Sequence, residues 1–446
     1  MSTATTSTRF AAEFRAICGQ EHLTEDPVEL QGWNILGVIP ALAVTPASAD
    51  EIAGILRVAN DHGLSVAPAG GFTQQQTGNL PPQVDVLLST SRLTEVEHYD
   101  AGDLTIGIGA GCTVAQLSAM VAENGLLFAG DPAQPERCTV GGLLATGLYG
   151  PLRHGYGGLR DYCIGVRFVT GDGRKAKGGG RVVKNVAGYD MMKLLIGSQG
   201  TLGIITSASF KLFPAPRQTW TFAAVFRTAA EAIEFRNRVL HSPLAPICLE
   251  IVSPEAPGLL GVSEQLDGGA WSILVRAAGS DAVLDRYRTE LGTAISREIE
   301  SARESELWRA LEDFPPIAAE RHPPSLLVSM TLPVRDIELV LDKLSAVAES
   351  NHFTFAAIGR VGAGHLLESL WQASDVEFSL VSFVNAVSAL RNRLPHDVSM
   401  AVLRCPVESR HHISAWGPMP TDMESMRAVK MALDPKDILN RGRFLF

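Results

Sequence analysis

The sequence predicts an α+β fold in two halves, and three observations predict it. Short β-branched strands alternate with capped amphipathic helices from residue 44 onward. Glycine, 42 residues in 446, gathers in clusters across the first half. After Pro214 and Pro216 the texture changes to longer helix-like stretches alternating with strands. These boundaries give a helical lead-in at 1–39, a glycine-rich domain at 40–216, a second α+β domain at 217–403 and a closing segment at 404–446.

Each element has a local reason. Phe10, Phe14 and Ile17 recur at helical spacing, and QEHLTEDPVELQGW after them reads as irregular. In VTPASADEIAGILRVANDHG, Ser48 stands as an N-cap with Glu51 three residues on. Ile52, Ile55, Leu56 and Ala59 share one face, and Gly63 ends the helix. LSVAPAGG is a strand running into paired glycines, DVLLST and LTIGIGAG are further strands, and TVAQLSAMVAENG is a second helix closed by Gly125. GVRFVTGDG and GIITSASFKLF are β-branched runs, with GDG as a hairpin turn. In the second half TAAEAIEFRNRVLHS and VRDIELVLDKLSAVAES read as helices, and WSILVRAAG and SLLVSMTL as strands. The end, MESMRAVKMALDPKDILNRGRFLF, is one helix stopped before Pro435, followed by a tail.

Composition narrows the function. With 38 Lys plus Arg against 48 Asp plus Glu, the net charge is -10, which argues against a dedicated nucleic-acid binder. The longest apolar stretches, such as 33–44, fall short of the ~18 residues of a spanning helix. The amino terminus has neither the basic nor the apolar region of a secretory signal, so a cytoplasmic location is expected. Cysteines 18, 112, 138, 163, 248 and 405 include no C-x-x-C pair, so the expectation is small buried apolar side chains and no iron–sulfur or metal site.

Four phosphate-loop readings separate. Neither GLLATG at 142–147 nor GDGRKAKGGG ends in Gly-Lys-Ser/Thr, so a P-loop is rejected. The dinucleotide fingerprint is approached by Gly107, Gly109 and Gly111 but broken at Cys112, which leaves tight strand-to-helix packing. PAGGFTQQQTGN at 68–79 can turn successive N–H groups toward one point and form an anion nest, or be a plain loop. TVGGLLATGLYGPLRHGYGGLRD at 139–161 lets backbone approach a large flat ligand, or is a flexible lid.

Taken in order, VTPASADEIAGILRVANDHGLSVAPAGGFT, DPAQPERCTVGGLLATGLYG, YGGLRDYCIGVRFVTGDG and KNVAGYDMMKLLIGSQGTLGIIT resemble the PCMH-type FAD-binding domain of the vanillyl-alcohol oxidase superfamily. With the tail WGPMPTDMESMRAVKMALDPKDILNRGRFLF they are similar to the FAD-binding E subunits of bacterial glycolate oxidases. The resemblance covers about 40–215 and 400–446. It implies a two-part FAD-binding domain, an α+β cap and a C-terminal tail returning to the flavin. It also implies that Ala69, Gly70, Gly71, Phe72 and Thr73 form the pyrophosphate loop. Pro132, Thr139, Gly141, Gly142, Thr146, Gly147 and Gly150 would line the flavin and ribityl chain, with Tyr156, Gly157 and Asp161 in the next block. Gly200, Gly203, Ile204 and Ile205 would lie beside the adenosine half, Ile204 and Ile205 reading equally as a core strand, and Asn440 would close the site.

Departures from the family pattern carry information too. Phe72 stands where some branches have a flavin-tethering histidine, and Cys138 lies directly before Thr139 rather than further upstream, so non-covalent FAD is expected. Where resembling 2-hydroxy-acid dehydrogenases carry a histidine-rich metal motif and a Glu-His-Gly stretch, this chain reads GRVGAGHLLESL and VLRCPVESR. No metal is therefore expected. Oxidising a 2-hydroxy acid needs a cation for the carboxylate and a base for the hydroxyl proton. Arg360 and Arg404 are the clamp candidates and His365 the base, each also readable as structural; His154 is a further candidate, and His411 and His412 read as solvated.

The resulting expectation is the FAD-binding subunit of a glycolate-oxidase-like complex acting on glycolate or D-lactate. Its implied partners are an iron–sulfur subunit and a homologous flavoprotein subunit, with membrane contact only through them. The alternatives are a stand-alone FAD-dependent alcohol or hydroxy-acid oxidase and a non-catalytic electron-relay subunit.

Overall fold

A computed structural model describes residues 4–180, 189–266, 268–372 and 379–445. The stretch VVKNVAG, part of the family resemblance, lies outside these described residues. The chain divides into two compact units, residues 1–148, 158–214 and 418–446 in the first, and 149–157 and 215–417 in the second.

Two sheets build the first unit. One has the order Leu23–Thr24, Leu42–Val44, Val86–Ser89, Val66–Ala69, with the last three strands parallel. The other is antiparallel, in the order Val96–Asp100, Thr105–Gly109, Ile204–Lys211, Cys163–Val169, Lys175–Gly179. The helix Ala49–His62 forms as its sequence requires. Ser48 Oγ accepts from Glu51 N at 3.1 Å, Glu51 Oε2 accepts from Ala47 N at 2.8 Å, and Gly63 closes it at φ 69°. Ile52, Ile55, Leu56 and Ala59 are buried with Phe10 and Phe14 of the helix Ala4–Cys18, so the lead-in is part of this unit's core. Burial of each large apolar side chain contributes about 1.5–3 kcal/mol. The stretch after that helix holds more structure than the sequence indicated: Asp26 caps a short helix Pro27–Gln31, its side chain accepting from Val28 N at 2.8 Å. The GDG turn joins Cys163–Val169 to Lys175–Gly179, with Thr170 N donating to Arg174 O at 3.0 Å.

The second unit is an antiparallel sheet in the order Arg297–Ile299, Thr219–Phe226, Trp271–Ala278, Cys248–Val252, Phe353–Arg360, His365–Gln372, Ser325–Thr331, Ser399–Arg404. One face packs on the helices Ala229–Leu240, Asp281–Leu291, Ile337–Ser350 and Leu380–Arg393. The other face packs on Ala256–Leu260, Ser301–Glu312 and Phe314–Arg321. Five of the six cysteines are buried and Cys405 is half-buried; all are free. Among the described residues no helix is long and apolar enough to cross a membrane.

On the first of these faces stands Glu368, between Leu366 and Leu370 and in register with Ala357 and Val328, all buried. Neither carboxyl oxygen has a hydrogen-bond partner, and burial pushes the group up to about 8. The folded state therefore holds a proton that the unfolded chain releases near 4.5, and stability falls as pH rises through that window. Glu368→Leu is expected to raise the melting temperature, with a larger gain at about pH 8.5 than at about pH 5. A gain of equal size at both pH values contradicts a buried ionisable carboxyl.

Candidate functional site

In the first unit a cavity of about 810 Å³, its open mouth included, runs from the strand end at Pro68 to Asn440 and Arg443 of the tail. It collects Ala69, Gly70, Gly71, Phe72, Thr73, Thr139, Gly141, Gly142, Thr146, Gly200, Gly203, Ile204, Ile205 and Asn440. Six residues expected with them lie elsewhere. Pro132 is buried outside the lining, Gly147 caps the helix Val140–Thr146 at φ 67°, and the Asp161 carboxylate accepts from Gly158 N at 2.7 Å. Gly150, Tyr156 and Gly157 fall in the second unit.

The reason for paired glycines at 70 and 71 differs from the expected one. Neither takes a positive φ; Phe72 does, at 61°. What the glycines permit is close approach: a Cβ on Gly70 would lie 2.1 Å from Thr139 Oγ1, and one on Gly71 would lie 1.6 Å from Arg137 O. Two loops distant in sequence are thereby pressed together at one end of the cavity. Phe72 turns its ring onto Trp33, edge to face at 5.5 Å. Cys138 offers no nucleophile, because burial pushes its thiol up to about 12.

The tail closes the other side. Val66 N donates to Ile438 O and Asn440 N to Val66 O, both at 2.8 Å, while Asn440 Nδ2 donates to Gln199 O at 2.6 Å. Gln199, at φ 56°, also anchors to Ala145 O at 2.7 Å. Sequence reasoning missed Gln199 and Arg443; the only local signal for either was its neighbourhood to Gly200 or Asn440.

A second constellation lies within the second unit. Glu250, Arg360 and His365 are in register on neighbouring strands and share the sheet face opposite Glu368. All three are buried. Arg360 Nε lies 3.8 Å from Glu250 Oε1, and Arg360 Nε and Nη1 have no hydrogen-bond partner. His365 Nε2 and Ser329 Oγ lie 2.9 Å apart, while His365 Nδ1 is buried without a partner. The Tyr149 ring packs on His365 at 4.8 Å, and the Arg153 guanidinium lies over Tyr149 at 3.8 Å. Burial, then the Arg360 and Arg153 charges, hold His365 well below 6.5, so its imidazole is neutral.

His154 packs over the turn between the two strands, where a Cβ on Gly362 would fall 2.2 Å from its Cε1, and burial lowers its pKa. Arg404 is not part of this group. It pairs with Leu327, four residues from the Thr331 that pairs with His365, which is roughly 13 Å at the usual strand rise. Burial lowers its pKa, opposed by Glu320. His411 and His412 are exposed. Among the described residues no three or more His, Cys, Asp or Glu side chains are placed to hold a metal ion. The unread members, Glu250, Ser329, Tyr149 and Arg153, come from strands and a loop far apart in sequence. Only the lone acid in the apolar run CLEIV carried a signal.

Residues 40–177 match the FAD binding domain family, and 215–377 with 418–444 match the C-terminal domain of FAD linked oxidases. The chain is 28% identical over 425 residues to a D-lactate dehydrogenase of Archaeoglobus fulgidus, covering 90% of each chain. It is 24% identical over 425 residues to glycolate oxidase subunit GlcD of Bacillus subtilis, covering 91% of this chain and 89% of that one. In fold it is similar to p-cresol methylhydroxylase with substrate bound, at TM-score 0.76 and 16% identity, over 98% of this chain and 96% of the other. The first unit's cavity fits an FAD. It is lined largely by backbone and small neutral residues, and Gly70 and Gly71 let two loops meet in its wall without a side chain between them.

Replacing Gly71 by Val is expected to abolish FAD retention while leaving the circular dichroism of the fold in place, because the added carbons meet the Arg137 carbonyl. Acid precipitation of the wild type is expected to leave all the flavin in the supernatant. Flavin held by Gly71→Val at wild-type affinity, or carried into the pellet, contradicts the assignment.

Proposed function

Because the chain belongs to the FAD-linked oxidases, carrying both the FAD binding domain and the C-terminal domain of that family, we propose that it oxidises a small 2-hydroxy acid such as glycolate or D-lactate. The observation that carries this reading is Arg360, a buried guanidinium with Nε and Nη1 unpartnered, five residues from a neutral histidine whose Nδ1 is also open. The relatives named for D-lactate and glycolate support it.

Each residue has a role set by its chemistry. Arg360 binds the substrate carboxylate through its unpartnered N–H groups, a charge-assisted pair in a site closed to water. Glu250 balances the guanidinium and fixes its orientation. His365 Nδ1 accepts the proton of the substrate hydroxyl, and the Ser329 hydroxyl holds the ring through Nε2. Tyr149 packs on the imidazole and shields it. FAD, when bound, supplies the acceptor for the hydride that leaves Cα as the carbonyl forms. The resemblance to glycolate oxidase subunits implies that electrons pass onward to an iron–sulfur partner in a glycolate-oxidase-like assembly, the cysteines of this chain having no cluster-binding spacing of their own.

Arg360→Gln is expected to lower kcat/KM by an amount equivalent to about 2–3 kcal/mol, mainly through KM, with the flavin retained. Unchanged kinetics remove Arg360 from the clamp. A base held well below 6.5 is already neutral at that pH, so kcat/KM is expected to show no ionisation near 6.5; an acid limb there that disappears in a His365 variant contradicts the neutral imidazole. Co-expression with an iron–sulfur partner is expected to speed reduction of a quinone analogue many-fold. A lone chain that consumes oxygen at the full rate and gains nothing from the partner overturns the assembly.

A further inference from the structure

Arg236 stands on the buried face of the helix Ala229–Leu240, among Ala232, Ile233 and Val239, where an apolar side chain is the rule. It is 1% exposed, and Glu338, the acid whose charge acts on it, lies at the surface. Its Nε has no hydrogen-bond partner. A guanidinium this deep costs the fold stability except where its N–H groups find acceptors. Nη1 finds two: it donates to Val361 O at 2.9 Å and to Val334 O at 3.1 Å. Val361 opens the four-residue turn between Arg360 and His365. Val334 follows the strand Ser325–Thr331, and between them Leu332 N donates to Gly364 O, the last residue of that turn, at 2.9 Å. Gly364 sits at φ 66°, where an added Cβ would fall 2.1 Å from Leu332 O. One nitrogen thus ties the end of the strand that supplies Ser329 to the turn that supplies Arg360 and His365.

A carboxylate clamp and a proton acceptor must be spaced to fit one small acid, and a misplacement of about 1 Å can cost about a hundredfold in rate. We propose that Arg236 is a positioning residue for the oxidation: by holding Val361 O against Val334 O it fixes the turn, and with it the placement of His365 Nδ1 relative to the Arg360 guanidinium. The proposal rests on the reading of Arg360 as clamp and His365 as base. Arg236 belongs to a helix packed on the other face of the sheet, so it acts through the turn and not on the substrate. Glu250 orients Arg360 independently of the turn. Loss of Arg236 therefore displaces the base and spares carboxylate binding.

The test is rapid-mixing reduction of the bound flavin by glycolate and by D-lactate in the holoprotein, with the rate at saturating acid and the apparent Kd read separately. The proteins are wild type, Arg236→Gln, Arg236→Lys, His365→Gln, and Arg236→Gln combined with His365→Gln. Arg236→Gln is expected to slow reduction by about tenfold or more while the apparent Kd changes by less than about twofold. Arg236→Lys is expected to regain most of the rate, because it keeps a charged donor at the two carbonyls. Once His365 is gone its placement no longer counts, so adding Arg236→Gln to His365→Gln is expected to cost less than about twofold. Should Arg236→Gln not fold, Arg236→Met, which fills the same space without a donor, takes its place in the cycle. An unchanged rate in Arg236→Gln overturns the proposal. An equal loss with and without His365, or a loss confined to the apparent Kd, marks a general loosening of the unit and overturns it as well. Wild-type flavin that neither acid reduces removes the reading of Arg360 and His365 and this proposal together, a result distinct from the others.

Discussion

A buried ion pair fixes the turn from which the tail reaches the cofactor cavity. Lys430 Nζ lies 2.6 Å from Asp434 Oδ2 and also donates to Thr201 O at 2.9 Å and Leu439 O at 3.2 Å. Asp434 in turn accepts from Ile438 N and Leu439 N at 3.1 and 2.8 Å. The helix Met423–Leu433 is thereby locked to the tail that follows it, and the tail is delivered against Val66 at the edge of the parallel sheet. Removing one partner of such a pair costs about 3–5 kcal/mol. Asn440 and Arg443 reach the cavity only because this turn is fixed. A cofactor site assembled from residues 68 and 443 needs a tether of this strength.

Local signals were legible where the physics is local. Ser48, Glu51 and Gly63 set a helix through contacts within four residues, and GDG sets a hairpin through the φ of its glycine. Arg360 and His365 come together because they flank one tight turn, and that spacing could be read. Arg404 could not be placed, because its position depends on the register of Ser399–Arg404 against Ser325–Thr331, strands about seventy residues apart. Glu250, Ser329 and Tyr149 were hidden for the same reason. At Gly70 and Gly71 the need for glycine was visible but its cause was not: a positive φ is a property of one residue, whereas contact with Arg137 O belongs to the fold.

The two units solve different electrostatic problems. The first lines its cavity with backbone and mostly small neutral side chains, so that shape dominates. The second buries Glu250, Arg360 and His365 in one row, where each ionised group is tolerable only through its neighbours. Across the same sheet Glu368 is left without a partner, and its rise to about 8 shows what burial does to a carboxyl that has no cation beside it. Glu250 is the contrast, with Arg360 opposite. Placing a guanidinium and an unprotonated imidazole side by side is costly for the fold but suits an anionic substrate that must lose a proton.

Anaerobic titration of the purified flavoprotein with glycolate and with D-lactate, followed by the loss of oxidised-flavin absorbance, tests the central claim most directly, since it needs no electron acceptor and no partner subunit. The account predicts bleaching by at least one of the two acids, with one flavin reduced per molecule of acid consumed and the matching 2-oxo acid recovered. A flavin that stays oxidised with both acids, yet is reduced normally by dithionite, contradicts it.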